Sequence, residues 1–375
     1  MKLVFVKKHF NPYGGAELYL LKVINLLKNS FSISVVSGSW EKISGINFYE
    51  VPKCYLPLGK EICFALKSKR VIEKLNKKGA IVFSFERGLY QDIYRASDGC
   101  HLRWLENRKR YLSSKLKSFS FAINPKHLEI KWLEKKCLEV SKVVITNSFM
   151  VKKDFEVFYG KKVSEKCKVI YNGVDTKKFF PLSVEEKLRL RVQMGLKKSA
   201  KILLFVGSGY ARKGLEFLLK TLQILKKEVL LLVIGKEKKE NFYKSLAKSL
   251  KVEDKVVFLG AKKDIVKFYQ ISDIFVLPTI YDPFSNACLE ALACGLPVIT
   301  TSANGASELI KDGKNGFVIS LPIEIEDLKF KVEHTFNNLE NMRKFALNTA
   351  KKFPLELAIS RLQEVIKSAY FRYKT

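Results

Sequence analysis

A chain of 375 residues, 47% hydrophobic and 28% charged, is too long for one ordinary core and suits two domains of similar size, which excludes a disordered chain. No stretch approaches 18 uncharged apolar residues, so no membrane-spanning helix is expected, and Lys2 to Val6 is too short for a signal peptide. The formal charge of +31, with +18 on residues 1–170 and +13 on 171–375, suits lipid headgroups, lipopolysaccharide phosphates or nucleic acid, or reflects a lysine-rich composition. The seven cysteines, at 54, 63, 100, 137, 167, 288 and 294, are scattered and contain no Cys-x-x-Cys pair, which points to a reducing compartment without structural zinc.

Leu3–Val6 has the composition of a buried strand, followed by a polar segment with Gly14, Gly15 and Glu17 and a helix over Ala16–Lys28 with the stripe Leu20, Val23, Ile24, Leu27. A strand, glycine turn and helix can cradle a phosphate, because the glycines admit close approach and the helix start supplies N–H donors; a bare Gly-Gly is also an ordinary turn. Ile33–Val36 is the next strand, 45–58 is irregular or extended, Ile62–Leu75 is an amphipathic helix and Ala80–Ser84 another strand. The glycine-bearing segment 85–101, with Asp98 and His101, then belongs at the carboxyl edge of a parallel sheet, where ligands bind.

Residues 101–136 carry ten Lys and Arg against three Glu, with Trp104, Tyr111, Phe119, Phe121 and Trp132 among them. Aromatic rings beside basic groups suit an anionic membrane surface, and the same composition suits RNA or DNA or a solvated helix face with its rings in the core. Val143–Thr146, a helix over Phe149–Phe158 and the strand Lys168–Tyr171 close the first domain.

Strand and helix alternation restarts after Asn172, predicting a second doubly wound α/β sheet. Its elements are a helix over Glu185–Met194, the strand Ile202–Val206, and a loop from Gly207 to Gly214 carrying Arg212 and Lys213. There follow a helix over Leu215–Leu225, strands at Val229–Ile234 and Val256–Leu259, and helices over Tyr243–Leu250 and Ile265–Gln270. Ile274–Pro278 leads through Asp282, Pro283 and Phe284 to a helix with N-cap Ser285 and Glu290 in its interior. That helix ends at Gly295 before the strand Val298–Thr300. An acid in the loop and another two turns into the helix can face one ligand, with helix N–H groups near Ser285 and Asn286 aimed at an anion. Asn304–Glu308, a strand from Gly316, one or two helices over Leu328–Ala350 and a final helix over Leu357–Tyr370 complete the chain.

The string from Asp282 through Glu290 to Ile299, with Pro283, Phe284 and Ser285 after the first acid, resembles the signature of glycosyltransferase family 4, whose fold is GT-B. The resemblance spans essentially the whole chain. It implies two Rossmann-like domains facing across a cleft, with bounds of 1–171 for acceptor and membrane, 172–352 for the nucleotide sugar, and 353–375 as a helix returning to the first domain. It implies that Glu290 binds the nucleotide ribose and that Asp282, where the family usually has Glu, contacts the donor sugar with one methylene less reach. Arg212 and Lys213 match the diphosphate clamp, Gly207 belongs to the same loop, and Gly14, Gly15 and Glu17 to the loop that closes on donor and acceptor. Asp98 matches an acid beside the donor sugar in the lipopolysaccharide core glucosyltransferases, whose corresponding 101–136 segment attaches to membranes.

The function so implied is retaining transfer of a hexose from a nucleotide-diphosphate sugar, foremost UDP-glucose, to lipopolysaccharide core or a related envelope glycan. It places the protein in the cytoplasm, attached to the inner face of the cytoplasmic membrane. Arg212, Lys213, Asp282 and Asp98 form the catalytic set, and Gly14, Gly15, Glu17, Gly207, Phe284, Ser285, Asn286 and Glu290 the donor-binding set. The chain has no Asp-x-Asp, so neither a metal nor a cofactor is expected. GDP- or ADP-sugars are alternative donors, and a basic nucleic-acid-binding protein is the rival reading.

Overall fold

The computed structural model describes residues 1–9, 15–40, 44–55, 59–76, 79–111 and 124–374, with backbone alone at 15–18 and 76. These residues form two compact units, Met1–Tyr171 with Leu357–Thr375, and Asn172–Glu356.

The first unit is built on seven parallel strands: β1 (Lys2–Val6), β2 (Ser32–Ser37), β3 (Asn47–Glu50), β4 (Ile81–Ser84), β5 (Ile93–Arg95), β6 (Val143–Thr146) and β7 (Cys167–Val169). Their spatial order is β3-β2-β1-β4-β5-β6-β7, with Leu3 to Val6 of β1 opposite Ile33 to Val36 of β2 and Ile81 to Ser84 of β4. The continuous apolar runs of β1, β4 and β6 are what a sheet covered on both faces selects.

Two of these strands lie where the sequence shows none. β3 falls in the stretch expected to be irregular or extended, where no strand was singled out because it is an edge strand pairing through Ser34 to Ser37 and burying little of itself. β5 lies inside the polar segment 85–101 and is three residues long; its last member, Arg95, is fully buried with its guanidinium 4.7 Å over the Tyr19 ring.

Among the described residues six helices of this unit precede its last strand: α1 (Gly15–Leu27), α2 (Lys60–Asn76), α3 (His101–Lys109), α4 (Pro125–Val140), α5 (Phe149–Tyr159) and the short α6 (Lys161–Glu165). The α1 stripe of Leu20, Val23, Ile24 and Leu27 is fully buried. Ser148 caps α5 by accepting from the Val151 amide, and Asn124 with Pro125 starts α4. Glu129 of α4 accepts the first α2 amides, Glu61 and Ile62, at 2.8 and 2.9 Å, so a neighbouring carboxylate serves as the cap.

Cys54 and Cys63 are joined in a disulfide, which corrects the expectation that all seven cysteines are reduced. The spacing hid the pair because its partners are nine residues apart, Cys54 ahead of α2 and Cys63 within it. The other five cysteines are buried thiols.

The second unit has six parallel strands: β8 (Ile202–Val206), β9 (Leu230–Ile234), β10 (Val256–Gly260), β11 (Ile274–Leu277), β12 (Val298–Thr301) and β13 (Gly316–Ile319). Their order is β10-β9-β8-β11-β12-β13, so the chain reverses its direction of travel between β8 and β11, the position where doubly wound sheets bind ligands.

Its helices are α7 (Val184–Gln193), α8 (Tyr210–Lys213), α9 (Leu215–Ile224), α10 (Glu240–Ser249), α11 (Val266–Ile271), α12 (Asn286–Ala293), α13 (Ile325–Asn337) and α14 (Leu339–Ala350). Ser183 and Glu186 form a capping box on α7. From α7, Lys187 and Arg191 reach the buried Asp273 ahead of β11, at 2.7 and 2.9 Å.

The last helix, α15 (Leu355–Tyr373), belongs from Leu357 onward to the first unit. Lys374 lies 3.3 Å from the Asp92 carboxylate, and Lys142, itself 3.0 Å from Asp92, stacks over the Tyr373 ring.

Candidate active site

In the second unit two loops leave the carboxyl ends of the adjacent strands β8 and β11. The first is Gly207 to Gly209 followed by α8, so Arg212 and Lys213 sit on a helical turn where the sequence suggested a loop. Gly214 ends that turn with φ +79°, and a Cβ there would lie 1.8 Å from the Pro278 carbonyl oxygen. The backbone of α8 is thereby pressed against the loop from β11. Two hydrogen bonds fasten it, with the Ile280 amide and the Thr279 hydroxyl both donating to the Arg212 carbonyl at 2.9 Å.

Lys213 passes directly over Gly207, where a Cβ would meet its Cγ, Cδ and Cε at 3.1 to 3.2 Å. The chain has space for this path because residue 207 carries no side chain. The ammonium then ends on Asp282 Oδ2, in a buried ion pair. Arg212 is the more open cation, its side chain 38% exposed; Nη1 donates to the Tyr281 carbonyl at 3.0 Å and stands 3.7 Å from the same Asp282 oxygen. Burial pulls the Lys213 ammonium below the usual lysine range, with Arg212 adding to the fall and Asp282 opposing it. Burial alone would raise the Asp282 carboxyl, but Lys213 and Arg212 outweigh it and hold Asp282 low. Two cations therefore converge on one carboxylate at the sheet's reversal point, an arrangement that suits binding of a polyanion such as a diphosphate.

Asn304 fixes the carboxylate's loop, a role the sequence did not disclose. It is fully buried, its Oδ1 accepts from the Ser285 and Ala306 amides at 3.2 and 3.1 Å, and its Nδ2 donates to Thr300 Oγ1 at 2.9 Å. Around it the Asp282 amide donates to the Ala303 carbonyl, and the Gly305 amide to the Asp282 carbonyl. The amides near Ser285 are thus partly spent within the protein. That of Ser285 goes to Asn304, and that of Phe284 to Asp282 Oδ1 at 3.3 Å.

Ser285 is the N-cap residue of α12, although its side chain makes no capping hydrogen bond to the helix backbone. Asn286 accepts from Asn172 Nδ2 at 2.6 Å, which ties the helix start to the beginning of the unit. Glu290, half-buried on α12, accepts from Tyr269 Oη at 2.8 Å. Tyr269 is buried on α11 and is a second partner that sequence reasoning missed; burial foremost, then the adjacent carboxylate, raises its hydroxyl well above the usual range.

Asp98 lies in the first unit, with its side chain 60% exposed and 3.2 Å from Arg87 Nη1. Arg87 also grips the fully buried Glu134, which accepts in turn from the His101 amide and Tyr159 Oη at 2.9 and 2.7 Å. Gly15 begins α1; Gly14 and the Glu17 side chain lie outside the described residues, as do Phe119 and Phe121. The second unit thus brings together Gly207, Arg212, Lys213, Asp282, Phe284 and Ser285. It hands Glu290 to a separate partner on α11, and Asp98 stands in an ion-pair network of the other unit.

The family model described as glycosyl transferases group 1 matches residues 186–352, a span holding every second-unit site residue named above except Asn172. An uncharacterized glycosyltransferase of Methanocaldococcus jannaschii is 35% identical over 193 residues, 50% of this chain and 49% of the relative, so the chain spans about half the length of that curated relative. The lipopolysaccharide glucosyltransferase WaaG of Escherichia coli is 23% identical over 341 residues, 88% of this chain and 87% of WaaG. The crystal structure of WaaG matches with a TM-score of 0.82 at 21% identity over 97% and 99% of the two chains. Anabaena HepE in complex with UDP-glucose matches with a TM-score of 0.75 at 19% identity over 98% and 100%. Residues 186–352 are thus similar to the group 1 glycosyl transferases, and the chain's two parallel-sheet units have the GT-B fold.

Proposed function

We propose that the protein transfers a hexose, with retention of anomeric configuration, from a nucleotide-diphosphate sugar to a hydroxyl of lipopolysaccharide core or a related envelope glycan. The observation that carries this reading is the convergence of Arg212 and Lys213 on Asp282 where the second sheet reverses. A bound diphosphate takes up those two cations, and Asp282 turns to the sugar hydroxyls. The acceptor oxygen bonds to the anomeric carbon as the bond from that carbon to the phosphate oxygen breaks, and the acceptor proton passes to the leaving phosphate. Arg212 and Lys213 stabilise the charge that grows on that phosphate, which is the main electrostatic demand of the step. Because two side-chain cations meet this demand, the proposed reaction needs no divalent metal. Glu290 holds the ribose, its carboxylate aimed by Tyr269. Asp98 positions sugar or acceptor, and Gly14, Gly15 and Glu17 close over the donor.

UDP-glucose is the proposed donor; the likeness to WaaG, a lipopolysaccharide glucosyltransferase, and to HepE, whose structure holds UDP-glucose, supports it. Residues 101–136 are proposed to hold the protein on an anionic membrane face, here the cytoplasmic side. Replacing Trp104, Arg108, Lys109 and Arg110 together should release it from anionic vesicles while donor hydrolysis continues; undiminished vesicle binding removes that role.

The deciding experiment is calorimetric titration with UDP-, GDP- and ADP-sugars in the presence of a chelator, repeated on Glu290→Ala. Binding of one donor class, weakened about tenfold or more in the variant, supports the site; a hydrogen bond to a charged group is worth about 1.5–3 kcal/mol. If no donor binds while an oligonucleotide does so with steep salt dependence, the transferase reading falls.

A further inference from the structure

Far in sequence from the proposed donor site, the first unit holds a cavity of about 470 Å³ lined by Leu102 of α3, Lys131, Trp132, Lys135 and Glu139 of α4, Phe158 and Tyr159 of α5, and Val163 of α6. Its wall is aromatic and fixed. Arg103 stacks over Phe158 at 4.9 Å, and Tyr159 is pinned by its hydrogen bond to the buried Glu134. Trp132 forms part of the rim with 45% of its surface open. Lys131 and Lys135 stand four residues apart on one face of α4, so their like charges repel. Glu139, on the same wall, forms its ion pair with Lys136 at 2.9 Å and acts on Lys135 only through the longer-range field. Among the described residues neither Lys131 nor Lys135 forms an ion pair.

A cavity of this size takes a small organic molecule. Its aromatic and aliphatic walls favour a ring or chain body, and the paired ammonium groups favour an anion bound between them. We infer that this cavity binds a phosphate ester, with the phosphate held by Lys131 and Lys135 and the organic body lying against Trp132, Phe158 and Leu102. The chemistry is shared by a sugar phosphate and by the headgroup of a phospholipid. The inference goes beyond the anionic-surface role proposed for residues 101–136, because it assigns a single stoichiometric site with an organic moiety inside it.

The test is tryptophan fluorescence titration of the full chain with three probes: a hexose 6-phosphate, a short-chain phosphatidic acid below its micellar concentration, and inorganic phosphate. At least one ester should give a saturable signal that disappears in Trp132→Phe and should bind at least tenfold tighter than inorganic phosphate. Its affinity should fall at least tenfold in the surface variant Lys131→Ser/Lys135→Ser. Whichever ester meets these conditions identifies the source. The proposal is overturned if inorganic phosphate binds as tightly as both esters, if the double variant binds them unchanged, or if neither ester binds. Lys213→Ala should leave ester binding intact, so failure here does not touch the donor site, and failure of the donor titration does not touch this cavity.

Discussion

Lys213 gives up most of its hydration to reach Asp282, and that loss defines what its removal should do. Lys213→Ala deletes a cation that stabilises the departing diphosphate, so turnover should fall about 100- to 1000-fold while vesicle binding stays as it is. Turnover within a few fold of the parent would show that Lys213 serves only the Asp282 loop. At Gly214 the constraint is steric: a Cβ would meet the Pro278 carbonyl oxygen at 1.8 Å, in a conformation with φ +79°. Gly214→Ala should therefore lower the melting temperature and abolish donor binding together, whereas Ala at the open Gly313 should cost only its unfavourable φ. Arg212, Lys213, Asp282 and Glu290 could be singled out in sequence because each pair falls within one short segment, 207–214 or 282–290. Asn304 and Tyr269 were not, since each acts through hydrogen bonds to residues 19 to 21 positions away that nothing in local composition announces.

At the scale of elements, α3 and α4 are joined by charge and by rings. His101 stacks on Trp104 at 5.4 Å and lies 5.2 Å from the His127 ring. Burial foremost, then Arg87, His127 and Lys131, push the His101 imidazole down to about 3, with Asp98 opposing. The folded protein therefore keeps His101 neutral, while the unfolded chain protonates it near the ordinary value of about 6.5. Above that pH the residue contributes no pH dependence; as pH falls from about 6.5 towards 3 the unfolded state gains a proton that the folded state refuses, and stability declines. His101→Phe keeps the stack and removes the titration. Denaturant unfolding of the two proteins at pH 7.5 and pH 5 should show the smaller acid loss in the variant, and equal losses would refute the assignment. Most helices and buried strands were readable from apolar periodicity, with ends displaced by at most three residues, whereas α3, α4, α6 and α8 were not placed. The missed strands β3 and β5 share one cause: a short strand at an edge, or one ending in a buried arginine, lacks the apolar run that marks its neighbours.

At the scale of the whole molecule, the first unit is finished only by the chain's last residues. α15 buries Ile359, Leu362, Ile366 and Ala369, and an Ile or Leu so buried stabilises by about 1.5–3 kcal/mol. A fragment of residues 1–171 should lack cooperative unfolding and aggregate, and adding a peptide of residues 355–375 should restore a melting transition. A fragment 1–171 that melts cooperatively alone would show that α15 is dispensable. Both sequence ends lie in the same unit, and the chain leaves and re-enters the other at neighbouring points. The Val174 amide donates to the Phe353 carbonyl, and the Leu355 amide to the Val174 carbonyl, at 2.9 and 3.0 Å. Gly173 packs so tightly beside them that a Cβ would stand 2.4 Å from the Leu355 Cα. In genetic terms residues 172–356 are a cassette whose two splice points are already zipped together. Such a module can be exchanged for the corresponding half of a relative without redesigning a linker, provided that the glycine at the seam is kept.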